Sequence, residues 1–330
     1  MAHATLDVVG IGNAIVDVLA HAEDGFLDKH GLAKGAMTLI DASEAETLYA
    51  AMGPGIEVSG GSAANTMAAL AGLTGTGAFF GKVKDDQLGR VFRHDIRAAG
   101  VQYETVPATE GPSTARCLIF VTPDAQRTMQ TYLGVSVELG PGEVEEDTVA
   151  AAQITYLEGY LWDPPEAKAA FVKAAETAHG AGRKVALSLS DPFCVDRHRA
   201  DFRDLVDGHI DVLFANEEEI VSLYEAYDFD DALQHARHKC EIACLTRSEK
   251  GSVIVADGEV HIIDAEPVAK VVDTTGAGDA YAAGVLHGLT TGRDLHTAGR
   301  IGSICAAEVI SHMGARPEVA LDKLVREKLG

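Results

Sequence analysis

The stretch Asp273-Thr274-Thr275-Gly276-Ala277-Gly278-Asp279 carries the residue types from which an anion site and a base can be built. Val271-Val272 ahead of it reads as a strand, and the small and apolar residues from Ala280 to Leu289 read as a tightly packed helix. Glycines at 276 and 278 remove side chains where the backbone turns tightly or meets a ligand. The first amides of such a helix lack internal partners and lie at its positive end, which suits an anion. Asp279 is unfavourable beside an anion unless it has a task, and taking a proton next to a bound phosphate is such a task. The plainer reading is a helix cap after a glycine loop, because short glycine motifs are unspecific.

Two further clusters have polar residues at suggestive spacing. In Val58-Ser59-Gly60-Gly61-Ser62-Ala63-Ala64-Asn65, paired glycines open a helix, and Asn65 lies one turn inside it, where an amide needs a partner. In Gly10-Ile11-Gly12-Asn13-Ala14-Ile15-Val16-Asp17, the absence of a third glycine rules against a dinucleotide fingerprint. Asn13 and Asp17 suit hydroxyl recognition, since Asp accepts and Asn both donates and accepts; otherwise they belong to an ordinary loop.

Positioning these groups takes a regular frame. Strands are expected at 6–12, 36–41, 79–81, 154–157, 184–189, 212–215, 243–246 and 252–255. Helices are expected at 26–32, 42–52, from the paired glycines onward, up to about Ala99, over 165–180 and from Asn216. Ser113–Thr122 and Arg127–Leu133 read as a hairpin turning at Pro123-Asp124-Ala125-Gln126. Strands alternating with helices predict a parallel sheet covered on both faces, with ligands beyond the strands' carboxyl ends. Asn13, Asn216 and Gly276 all follow expected strands and so point to one crevice. The β-rich pieces near 36–41 and 113–133 predict a small sheet over its mouth.

Composition narrows the function classes. The 330-residue chain is 47% hydrophobic with a formal net charge of −23, which argues against a general nucleic-acid binder. An anionic ligand must therefore be held by local amides, Arg or metal. No stretch is apolar enough to span a bilayer, and Met1-Ala2-His3-Ala4-Thr5 lacks a signal-peptide pattern, so a cytoplasmic protein is expected. Five scattered cysteines, Cys240 and Cys244 included, read as reduced thiols, and the thirteen histidines form no ligand cluster.

Asp273 to Asp279 resembles the C-terminal signature of the ribokinase-like (pfkB-type) sugar and nucleoside kinases. Gly60-Gly61-Ser62-x-x-Asn65 resembles the N-terminal signature, and Asn216-Glu217-Glu218-Glu219 the Asn-x-x-Glu motif, in the expected order. The resemblance covers nearly the whole chain. It implies an α/β fold: a ribokinase-like three-layer αβα sandwich with a mostly parallel central sheet and a small β-rich lid. Residues 1–330 would form one kinase domain, with the lid from about 14–58 and 103–136. Gly12-Asn13-x-x-x-Asp17 followed by Phe26-Leu27-Asp28-Lys29 is similar to the N-terminal pattern of adenosine kinases.

The resemblance assigns roles. Asn13, Asp17, Gly61, Ser62 and Asn65 would bind the acceptor and its ribose hydroxyls. Asp279 would be the base on the 5′-hydroxyl, and the Gly276-Ala277-Gly278 amides the anion hole. Arg127 resembles the lid arginine that approaches the phosphates. Asn216 and Glu219 would serve ATP and Mg2+, mainly through water, with Thr246 on the nucleotide side. Asp273 and Thr275, with Ser311–Gly314, lie where many members bind K+. Phosphoryl transfer depends on alignment and charge neutralisation, which such a set supplies.

Met37 and Leu39, alternating onto one face of a lid strand, and Tyr160 or Trp162 suit the flat walls of a purine pocket; the alternative is packing between lid and core. Leu133-Gly134-Val135-Ser136 stands where animal adenosine kinases carry an alanine-rich segment. ATP-dependent phosphorylation of adenosine to AMP is the first expectation. The second is a sugar kinase acting on ribose, fructose or 2-keto-3-deoxygluconate, with Arg116 as the cation for a sugar acid. The third is a non-catalytic nucleoside-binding protein. Adenosine kinases commonly act as monomers and ribokinases as dimers, so either a monomer or a homodimer is expected.

Overall fold

A computed structural model describes residues 4–124 and 126–330. Ala125, in the expected hairpin turn, lies outside the described residues, as do Met1 to His3. Eight strands form the main sheet: β1 (Leu6–Ile11), β5 (Gly77–Phe80), β8 (Ala152–Glu158), β9 (Lys184–Ser188), β10 (Val212–Asn216), β11 (Ile242–Thr246), β12 (Ser252–Ala256) and β13 (Glu259–Ile263). Their order is β13-β12-β11-β10-β9-β8-β1-β5, parallel from β11 to β5, with β12 and β13 added antiparallel at one edge.

Alternation along the strands makes the three layers. Val8, Ile154, Ala186, Val212 and Cys244 enter one apolar core, while Val9, Leu157, Val185, Leu213 and Ala243 enter the other. Near-continuous apolar strands are what a sheet buried on both faces requires. The first core is roofed by α1 (Ser62–Gly72), α4 (Ala277–Thr290) and α5 (Leu295–Val309). The small residues of α4 let it approach closely: a Cβ on Gly284 would stand 2.6 Å from the Gly302 backbone. Among the described residues, no helix is long and apolar enough to cross a membrane.

The second sheet comprises β2 (Ile15–His21), β3 (Met37–Leu39), β4 (Ile56–Gly60), β6 (Ala115–Val121) and β7 (Arg127–Tyr132), in the order β3-β7-β6-β2-β4. The hairpin is as expected, but β2 and β4 were not. Asp17 breaks the apolar alternation of β2 because that position faces the crevice, while Val16 and Val18 on the other side enter the core. A second departure is at Val271-Val272, which form no strand; Val272 N–H instead donates to Ile310 O at 2.8 Å. The sheet edge is formed instead by β13, paired antiparallel with β12.

Register decides which lid residues share a face. Asp17 lies opposite Cys117, Cys117 opposite Thr131, and Thr131 opposite Leu39. Arg127, Met129 and Met37 continue the same face by the period of two. Arg116, one residue off, points the other way. It pairs with Glu46 from the helix Ala42–Ala51, between the rings of Tyr49 and Tyr132 at 5.4 and 5.9 Å. The sugar-acid role expected of Arg116 is therefore withdrawn, because its charge serves the back of the lid.

Candidate active site

Two short links tie the lid sheet to the rest of the fold: Gly12-Asn13-Ala14 between β1 and β2, and Gly61 between β4 and α1. Gly61 has φ of +96°, and a Cβ there would lie 2.2 Å from the Asn13 carbonyl oxygen. Only glycine fits this backbone and this approach. The paired motifs of the N-terminal half are thus one junction, and it delivers the first turn of α1 to the crevice.

There α1 meets α4. Gly276, at φ +79°, caps α4 in the left-handed region and packs on Ala315, so Asp279 falls in the helix's first turn. The Ser62 hydroxyl donates to Asp279 Oδ1 at 2.6 Å and the Asn65 amide to Oδ2 at 3.3 Å. Burial pushes the Asp279 carboxyl up to about 6, against the lowering effect of those two donors and of Arg316. A carboxylate that is desolvated yet ionised at neutral pH is a serviceable base. A Cβ on Gly278, by contrast, would meet nothing within 4 Å, so the amide edge of this turn is open.

Asp17 is the second carboxylate of the crevice, packed over Gly60, where a Cβ would lie 2.4 Å from its Oδ2. Burial raises it to about 6, with Arg316 and Arg127 lowering it and Asp279 raising it. Asn13 faces inward and is only 1% exposed. Its amide donates to Glu158 Oε1 at 2.8 Å and accepts from the Ser136 hydroxyl at 2.8 Å. It therefore belongs to the frame beneath the crevice more than to its surface.

Glu158 escaped the sequence reading. This acid ends β8, is 1% exposed, and also accepts the Asn13 and Ala63 backbone N–H groups at 3.2 and 2.8 Å. It ties the first link to the start of α1, and burial lifts it to about 7. An acid at a strand end has no local signature of such a role.

Other expected residues are distributed as follows. Arg127 Nη1 bonds Asp273 Oδ2 at 2.9 Å with both side chains buried, linking lid to main domain. Asp273 also accepts from Thr275 N and Oγ and from Gly314 N, so its oxygens are filled in this state. Asn216 and Glu219 cap their helix, α3 (Glu217–Tyr224), reciprocally, and Thr246 is the register neighbour of Asn216. Burial, with Asp191 and Glu218 nearby, raises Glu219 to about 7. It has no cationic partner among the described residues, a setting that fits a cation or its waters. No group of three or more His, Cys, Asp or Glu among the described residues could hold a metal ion.

Met37 and Leu39 are exposed on the crevice side of the lid, and Tyr160 stands two residues beyond β8. Trp162 is not available: it is buried against Phe171 and Phe202, with ring centroids at 5.6 and 5.8 Å. Its place in a purine sandwich is withdrawn, since the 3₁₀ turn at Gly159–Trp162 sends it into the core.

Four buried carboxylates have a consequence for stability. Asp17, Glu158, Glu219 and Asp279 all bind protons more tightly folded than unfolded, chiefly through burial. Their contribution is full below the unfolded carboxylate range and is lost as pH rises through about 6 to 7. The melting temperature should therefore fall between about pH 5 and about pH 8. Glu158→Gln should flatten that slope while costing about 1–3 kcal/mol at the acid end, where one N–H loses its acceptor. Thermal melts of both proteins across that range check this; parallel slopes would exclude Glu158 as a contributor.

Comparison with known proteins gives this geometry a context. Residues 36–321 match the model of the pfkB family of carbohydrate kinases. The chain is similar to the solved adenosine kinase of Sinorhizobium meliloti, at 52% identity and a TM-score of 0.91, covering 98% of this chain and 100% of that one. It is also similar to a probable sugar kinase of Rhizobium etli, at 50% identity and a TM-score of 0.92, covering 98% and 99% of the two chains. An ATP-dependent ribose-1-phosphate kinase of Halopiger xanaduensis is 34% identical over 80% of this chain and 84% of its own.

Proposed function

This chain belongs to the pfkB family of carbohydrate kinases, and we propose that its acceptor is adenosine, which it phosphorylates on the 5′-hydroxyl to give AMP. The family makes it a phosphotransferase with an alcohol acceptor, using ATP and usually Mg2+. The observation that carries the adenosine reading is a set of exposed apolar side chains around the acceptor side of the crevice. Met37 and Leu39 lie on the same lid face as Asp17, and Tyr160 follows the carboxyl end of β8. Such surfaces suit a flat base, whereas a bare sugar calls for polar groups around each hydroxyl. The 52% identical relative is an adenosine kinase, in line with this reading.

In this mechanism Asp17, Asn65 and the Gly61 backbone hold the ribose, with Asn13 and Ser62 supporting them. The 5′-hydroxyl gives its proton to Asp279 as its oxygen bonds the γ-phosphorus, and the bond to the β-phosphate oxygen breaks to release ADP. The amides of Gly276, Ala277 and Gly278 receive the oxygens of the transferred group. Arg127 leaves Asp273 for the phosphates. Magnesium would supply charge neutralisation on the phosphate oxygens, held by Asn216 and Glu219 largely through water, with Thr246 beside the nucleotide. Potassium at Asp273 and Thr275 would need Arg127 to have moved; turnover unchanged on replacing potassium by a bulky organic cation would remove it. The lid is taken as the segments 14–58 and 103–136 of one domain.

A sugar kinase is the second reading. The Rhizobium and Halopiger relatives favour it. ADP release with ATP and magnesium separates the two across adenosine, guanosine, inosine, ribose, fructose, ribose 1-phosphate and 2-keto-3-deoxygluconate. Adenosine is expected to dominate. Turnover on a sugar alone would retain Asp279 and overturn the base pocket.

A further inference from the structure

Arg316 has no part in the roles set out above, yet it stands among the residues that perform them. It lies in the loop after α5, placed by two contacts with the 273–276 turn: Gly314 N–H donates to Asp273 Oδ2 at 2.9 Å, and Ala315 packs on Gly276. Its Nε donates to Asn65 Oδ1 at 3.2 Å. Its Nη1 lies 3.5 Å from Asp95 Oδ2, which also accepts from Ser59 N and Oγ, just ahead of the Gly60-Gly61 junction. Its Nη2 is buried without any partner.

A guanidinium only donates and a carboxylate only accepts. The Asn65 amide between them has one stable orientation, with Oδ1 toward Arg316 and Nδ2 toward Asp279. A buried N–H without an acceptor costs stability, and an oxygen of a bound ligand would remove that cost. We propose that Arg316 is an acceptor-positioning residue, fixing the Asn65 amide against Asp279 and offering Nη2 to an oxygen of the acceptor. Carboxylates alone read only the proton of a hydroxyl; a donor beside them reads its lone pairs as well, so the acceptor is a polyhydroxylated sugar moiety oriented from both sides.

Charge adds a second readout. Asp279 is faced by Ser62 and Asn65 of α1, Asp17 of β2, Tyr156 and Glu158 of β8, Tyr160 beyond it, and Arg316. Arg127 of β7 acts on Asp17. Arg316 is the cation that lowers Asp279, so its removal makes the base hold its proton to higher pH.

This inference rests on Asp279 being the base. Arg316→Ala and Arg316→Lys are compared with the wild type, using the acceptor that the wild type turns over. Arg316→Ala should raise the acceptor KM about tenfold or more, leave the ATP KM within about twofold, and move the acid limb of kcat/KM to higher pH. Added methylguanidinium should restore part of the loss. Arg316→Lys should keep the acid limb and still lose acceptor affinity. Wild-type acceptor KM and acid limb in Arg316→Ala would overturn the proposal, as would equal losses for both substrates with a lowered melting temperature and no rescue. Near-normal turnover by Asp279→Asn would instead dismiss the base reading, whatever Arg316 shows.

Discussion

Replacing Asp279 by Asn should lower turnover by about a thousandfold while leaving acceptor binding within a few-fold of the wild type. The substitution preserves shape and removes only the capacity to accept a proton. The Ser62 hydroxyl retains an acceptor in the new amide oxygen, but Asn65 then faces a second NH2 group and one of the two must turn. That local rearrangement is worth about 1 kcal/mol, small beside the loss of the base. Single-turnover kinetics and calorimetric binding of the acceptor separate the two effects. In the wild type, kcat/KM should fall as pH drops through about 6, because the carboxyl that burial has raised becomes protonated and cannot take the hydroxyl proton. Turnover near the wild-type level in the Asn variant would sink the mechanism.

The two glycines of the anion turn should fail in opposite ways. Gly276→Ala puts a side chain into a left-handed backbone and against Ala315, with atoms as close as 2.7 Å. A loss of about 2–4 kcal/mol is expected from the strain and overlap together, visible as a lowered melting temperature. Gly278→Ala adds a methyl group where the protein has nothing within 4 Å, inside a helix that favours alanine. Its stability should be unchanged or higher by up to about 1 kcal/mol. Yet the same methyl stands on the open edge where the proposed mechanism brings phosphoryl oxygens to the amides, and kcat/KM for ATP should fall about a hundredfold. A stable, fully active Gly278→Ala protein would place the phosphates elsewhere.

Legibility in the sequence followed the range of the interaction. The helix Pro165–Gly180, the hairpin and the helix starts at Ala42 and Asn216 were readable because their signals are local: periodicity, turn residues, a polar residue ahead of an apolar run. Motif spacing likewise exposed Ser62, Asn65 and Asp279. That Ser62 and Asn65 both contact Asp279, more than two hundred positions away, followed only from the fold. Glu158 and Arg316 had no local signal at all, since a lone acid or arginine in a polar loop looks like any solvated charge. Arg116 shows the converse error: proximity in sequence to the hairpin said nothing about which side of the strand it would take. Val271 and Val272 had strand propensity, but the backbone there bonds to the Ile310 carbonyl, a partner that no local signal names.

The pairing of β2 with β6 joins Ile15 to Ala115, and β1 is held between β5 and β8. During vectorial synthesis the segment from Asn13 through Glu158 can therefore complete these long-range pairings before the 273–316 region leaves the ribosome. Asp279, the Gly276–Gly278 turn and Arg316 arrive last, onto a partly assembled platform. Asp17, Gly61 and Asn65 are thus set on their frame before Asp279 and Arg316 can reach them.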